Sequence, residues 1–94
     1  MLIQLKKFGV VLTSRQAGKE AFSAFNPYFD KLGEQEDVII DFQDVITFSP
    51  SWGDEFLSPL VLKYKDRIIF QNSDNPSVKA TLSLLRDIKW NVKN

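Results

Sequence analysis

The sequence predicts an α/β domain, a mixed sheet of four to five strands with three helices packed on it, in the order β-β-α-β-α-β-α. Three observations predict it. Short runs of β-branched and apolar residues recur at Val10-Val11-Leu12-Thr13, Val38-Ile39-Ile40-Asp41-Phe42 and Arg67-Ile68-Ile69-Phe70-Gln71, the composition of buried strands. After each comes a segment whose apolar residues repeat at helical spacing. Between strand and helix stand residues that start helices, Ser14, Ser49-Pro50 and Asn75-Pro76.

Residues 2–13 read as two short strands. Ile3 and Leu5 alternate with Gln4 and Lys6, and a hairpin around Lys7-Phe8-Gly9 turns the chain into Val10–Thr13. The alternative is one long strand with a bulge at Gly9. Ser14 caps the first helix, which places Phe22, Phe25, Phe29 and Leu32 on one face. Pro27 interrupts that face. The helix either kinks there or restarts with Asn26 as cap, and the continuing apolar face favours one kinked helix ended by Gly33.

The strand 37–42 is followed by a loop, Gln43–Ser49, and by a helix from about Pro50 to Tyr64 in which Trp52, Phe56, Leu60 and Tyr64 repeat every four residues. Pro59 is expected to kink it. Either Ser49 caps this helix, with Pro50 as its first residue, or Ser51 caps it and Asp54 closes a variant capping box. After the strand 67–71 and the turn residues Asn72-Ser73-Asp74, the third helix buries Val78, Leu82 and Leu85. Ile88, Trp90 and Val92 fit an edge strand by alternation, while Leu85 and Ile88 fit an extension of the helix. If the strands at 10–13, 37–42 and 67–71 lie in one sheet and run the same way, as crossover connections require, all three helix starts meet at one sheet edge. Ser14-Arg15, Ser49–Glu55 and Asn72–Pro76 then share a surface, at the edge where open α/β sheets meet their ligands.

Composition limits what that surface can do. The 94 residues form one domain, 1–94, with 12 basic and 12 acidic side chains, no Cys and no His. A balanced charge argues against nucleic acid as a partner. Without Cys and His there is no disulfide framework, no thiol nucleophile and no His-based catalysis. No stretch is long enough to span a membrane and no signal-peptide pattern opens the chain, so the cytoplasm is the expected address. No catalytic residue, cofactor or metal is assigned. The competing expectation is a small Mg²⁺-dependent enzyme with Asp41, Asp54 and Glu55 as oxygen ligands, with Asp44 as a further acid.

Ser14-Arg15, Asp41-Phe42-Gln43-Asp44-Val45 and Trp52-Gly53-Asp54-Glu55-Phe56, in this order, resemble the STAS-like domains of unknown function (DUF4325), relatives of the STAS domains of bacterial anti-sigma factor antagonists. The resemblance covers roughly residues 3–85 and implies a regulatory, non-catalytic module that binds a protein such as an anti-sigma factor or kinase-like protein. In the antagonists a serine at the start of the second helix is phosphorylated. Registering the patterns places Ser51 there, in Ser49-Pro50-Ser51-Trp52 where the antagonists have Asp-Ser-Ser/Thr-Gly. Ser51, and secondarily Ser49, are the phosphorylation candidates. The partner-binding candidates are Arg15, Trp52, Asp54 and Glu55, with Trp90 as a weaker apolar anchor; the Trp52 ring is read as core or a lid on the core, and as an interface anchor if partly exposed at this edge. Arg15 opposes the dipole of the helix it begins, and on a shared edge it reaches Asp54 or Glu55 as an ion pair. Oligomeric state stays open.

Overall fold

A computed structural model describes residues 1–90. It is an α/β fold with three α-helices and five short strands in two sheets. The strands are β1 (Leu2–Gln4), β2 (Val11–Leu12), β3 (Val38–Asp41), β4 (Thr47–Phe48) and β5 (Ile68–Gln71), and the helices are α1 (Arg15–Phe25), α2 (Pro50–Tyr64) and α3 (Pro76–Ile88). One sheet has the order β1-β3-β5, the other pairs β2 with β4, and every pairing is parallel.

This corrects the single mixed sheet in three ways. First, β1 is not antiparallel to its neighbour. It pairs with β3, Ile3 opposite Ile40. Instead of a hairpin, Leu5–Phe8 forms a 3-10 turn, because the Phe8 ring is held against Phe25, Trp52 and Phe56 at 5.1–6.1 Å between centroids and cannot sit at a loop tip. Second, residues 11–12 and 38–41 lie in different sheets, so the expectation that they share one fails. Third, the partner of β2 comes from the segment read as a loop. Thr47 and Phe48 pair with Val11 and Leu12.

The helix expectations fare better at their starts than in their interiors. Ser14 accepts the Ala17 amide, Ser49 the Trp52 amide, and Asn75 the Ser77 and Val78 amides. Ser51 is therefore not the cap. The single kinked helix is corrected to an α-helix ending at Phe25 and a 3-10 segment, Asn26–Lys31. Pro27 has no N–H for the α-helical ladder and crowds the preceding turn, and the tighter winding absorbs both. Phe29 still reaches the core. α2 continues as one helix through Pro59. At the C-terminal end the helical alternative holds as far as Ile88, and Trp90 folds back as a turn residue into the core. Val92, the last residue of the suggested edge strand, lies outside the described residues.

The core lies between the three-stranded sheet and α2, the most deeply buried helix, with Phe56 and Leu57 fully buried and Trp52 1% exposed. Trp52 stacks on Phe56 at 5.0 Å and 15° and meets Phe48 edge-on at 5.9 Å. α1 approaches α2 closely at one point. A Cβ on Gly18 would lie 2.8 Å from the Trp52 carbonyl oxygen, so only glycine fits there.

Candidate functional site

The starts of all three helices converge on the β4 segment. Ser49, which caps α2, also donates its hydroxyl to the Thr13 carbonyl at 2.8 Å, joining the starts of α1 and α2. On the other side the Phe48 amide donates to Ser77 Oγ at 2.9 Å, and the Phe48 carbonyl accepts from Ser77 and Thr81 at 3.0 and 2.7 Å. α3 thus satisfies the backbone of β4 that faces away from β2. The Asn75 amide group adds bonds to the Val45 and Ile46 carbonyls. The shared surface is formed by side chains bridging helix starts, although the strands do not share a sheet.

Charge concentrates where α1 and α2 begin. Arg15, the first residue of α1, donates from Nη1 to Asp54 at 3.1 Å and to Glu55 at 2.8 Å. The expected ion pair is present, and it accounts for a cation at a helix start, since two carboxylates offset the unfavourable dipole. Hydrogen bonds from Arg15 to Glu55 and Asp54 raise the guanidinium pKa above its usual value. Asp54 also accepts the Ser58 hydroxyl at 2.8 Å and lies 3.6 Å from Lys89 Nζ. Partial burial pushes its pKa up, but the Ser58 hydroxyl, Arg15 and Lys89 outweigh that and hold it below the ordinary carboxylate value. Ser58 in turn accepts the Trp90 indole N–H at 2.8 Å.

Asp41 belongs to a different group. It is buried at the end of β3, where it accepts the Asn72 amide at 2.8 Å and the Gln43 backbone N–H at 3.0 Å. The Asn72 hydrogen bond is the main cause of its lowered pKa. Asp44 turns outward with φ 68° and pairs with Lys6 at 3.2 Å. The described residues contain no cluster of three acids, histidines or cysteines able to hold a metal ion. A Mg²⁺ site built from Asp41, Asp54 and Glu55 is thereby corrected. Asp41 is engaged by Asn72 and the Gln43 N–H where β3 ends, while the other two bind Arg15.

Trp52 takes its core reading, and the anchor roles of Trp52 and Trp90 are corrected. Both rings are buried, Trp52 among Phe8, Phe48 and Phe56, and Trp90 stacked on Phe70 at 6.0 Å. A ring in the core is held by too many contacts to serve a partner. The apolar surface that is exposed near the helix starts consists of Val11, 59% exposed, Ile46, 61% exposed, and Val10 beside them. Backbone bonds from the Ile46 and Thr47 amides to the Val10 carbonyl hold it together. Ser51 sits in the first turn of α2, half-buried, with no side-chain hydrogen bond among the described residues.

Most residues of the two longer sequence motifs are accounted for by this geometry. Phe42 and Val45 are core, Asp41 closes a turn, Trp52 and Phe56 are stacked, and Gly53 lies where a Cβ would be 3.1 Å from Leu85 and Phe48 side chains. Sequence reasoning missed Ser58, Ser77, Thr81 and Lys89. Ser58 could have been found, since it stands four residues after Asp54 and shares its helix face. Ser77 and Thr81 carry no such local signal.

A family model described as a STAS-like domain of unknown function (DUF4325) matches residues 26–78, more than half of the chain. The match includes the Asp41–Val45 and Trp52–Phe56 runs, while Ser14-Arg15 falls outside it. No curated protein and no solved structure matches.

Proposed function

Because the chain belongs to the STAS-like DUF4325 family, we propose that it is a non-catalytic regulatory module that docks a protein partner at the corner where α1 and α2 begin, in the manner of bacterial anti-sigma factor antagonists. The observation that carries the proposal is the pairing of an ion-pair cluster, exposed Arg15 with half-buried Asp54 and Glu55, with the exposed apolar residues Val10, Val11 and Ile46 beside the same helix starts. An apolar patch rimmed by charge is what protein interfaces use. The partner is a protein of the anti-sigma factor or kinase-like class, met in the cytoplasm. No helix among the described residues is long and apolar enough to cross a membrane.

Phosphorylation of Ser51 is the optional switch. A phosphate in the first turn of α2 is favoured by the helix dipole and repelled by Asp54 and Glu55, three and four residues ahead on the same face. It also competes with them for Arg15. Ser49 is less suited, because its hydroxyl both caps α2 and bonds Thr13. Opposed terms leave stability little changed and place the effect in partner affinity. The test is affinity capture from a bacterial cytoplasm, with mass spectrometry, using wild type, Ser51→Asp, Arg15→Glu and Ile46→Asp, each first shown to be folded by circular dichroism. The expected result is a specific partner lost with Ile46→Asp and Arg15→Glu and weakened with Ser51→Asp. Retention of every captured protein by all three variants overturns the docking surface. Insensitivity of Ser51→Asp alone removes the switch.

A further inference from the structure

A second surface, sharing no residue with the helix-start corner, lies along β1. This strand is at the end of its sheet. The Ile39 amide donates to the Met1 carbonyl, and parallel alternation then turns the Leu2 N–H and C=O away from β3, where they find no backbone partner among the described residues. Beside this open edge is a cavity of about 240 Å³, lined by Leu2, Gln4, Lys7, Phe8, Phe25 and Tyr28. It is smaller than the cavities that enclose drug-sized ligands and of the scale of one large side chain. Tyr28 and Leu2 are 58% and 53% exposed at its rim.

Charge decides the chemistry of the occupant. Neighbouring Lys6 is paired with Asp44, and Arg15 and Lys89 share Asp54. Lys7 makes no ion pair among the described residues, and it stands at the apolar cavity. We propose that the β1 edge and its cavity take an extended peptide of a partner protein, bearing a large apolar side chain next to an acidic one. The peptide backbone adds a strand to β1 through the Leu2 amide and carbonyl. Its apolar side chain enters the cavity against the Phe8, Phe25 and Tyr28 rings that line it, and its carboxylate meets Lys7. The open strand edge favours a peptide over a free small molecule, which would leave those backbone groups unused.

The test is a nitrogen-15 NMR titration with a blocked peptide of about seven residues, alternating valine and threonine around a central Phe-Glu pair. Three comparison probes are the same peptide with Glu replaced by Lys, the same peptide with proline at the strand-pairing position, and 3-phenylpropionate. The expected result is saturable shifts at Leu2, Gln4, Lys7, Phe8, Phe25 and Tyr28, with affinity about fivefold weaker for the Lys-containing peptide and no saturation with the proline peptide. In the exposed variant Lys7→Glu the preference between the Glu and Lys peptides reverses. No saturable shift at about 1 mM peptide, shifts confined to the helix-start corner, or a Lys7→Glu variant with unchanged preference would each overturn the proposal. So would equal affinity for 3-phenylpropionate, since the strand edge then contributes nothing.

Discussion

The two flanks of α2 are held by different chemistry. Toward α1 its start is joined by the ion pairs of an exposed Arg15 to Asp54 and Glu55 and by the Ser49 hydroxyl on Thr13, above one close backbone approach at Gly18. Toward α3 the joint is made of hydroxyls, Ser77 and Thr81, bonded to the two polar groups of the Phe48 backbone. Exposed charges are screened by water and contribute little to stability, whereas a buried carbonyl that loses its donor carries its full desolvation cost. The α1 flank can therefore change its surface groups at little cost, while the α3 flank loses stability when its hydroxyls change. The docking surface proposed above lies on the flank that tolerates change.

Substitutions separate the two flanks. The largest loss is expected for Trp52→Ala, which empties the core beneath both and should cost about 3–5 kcal/mol in urea denaturation. A loss below about 1 kcal/mol would mean the ring is not packed as described. Next is Gly18→Ala, whose methyl group would meet the Trp52 backbone. It should destabilise by about 1–3 kcal/mol, despite the better helix propensity of alanine. Stabilisation instead would remove the close approach that sets the α1 flank. Thr81→Val keeps the shape and deletes the hydroxyl donor to Phe48, with an expected cost of about 1–2 kcal/mol.

On the opposite flank Arg15→Gln should leave the denaturation midpoint in physiological salt unchanged within error. A clear drop would make that flank structural as well. The smallest expected effect is one of pH. Asp54 has a folded pKa below its unfolded one, so its contribution to stability is present above the unfolded value, about pH 4, and fades as pH falls through the folded value. Wild type should therefore lose its stability advantage over Asp54→Asn on acidification. A constant gap between pH 6 and pH 2 would show that Asp54 does not titrate with folding.

The same contrast explains what the sequence made legible. Helix starts are local events, so Ser14, Ser49 and Asn75-Pro76 could be read directly. Arg15 stood out because it opposed its own helix, and this led to Asp54 and Glu55. Strand partnership is a choice between distant segments. The β-branched and apolar run Val45-Ile46-Thr47-Phe48 carried a strand signal, but its place between strand and helix made it look like a connection. Strands of two residues, as β2 and β4 are, leave no periodicity to count. Burial of Trp52 follows from its four-residue spacing with Phe56, Leu60 and Tyr64, but the close approach of Gly18 to its backbone is a pairing no local pattern contains. The hydroxyls of Ser77 and Thr81 were illegible for the same reason, since their acceptor lies about thirty residues away.

The chain of contacts from Arg15 through Asp54 and Ser58 to the Trp90 indole gives the molecule an optical reporter of its own. Indole emission responds to its hydrogen bond and to nearby charge, and Trp90 is two contacts from the carboxylate that Arg15 holds. A ligand that draws Arg15 away alters the field at Asp54, and through Ser58 the environment of the Trp90 ring bonded to it. Trp52, the other indole, is enclosed by aromatic rings. With Trp52→Phe as background, a change in emission on binding can be read as light from Trp90 alone, with no label attached.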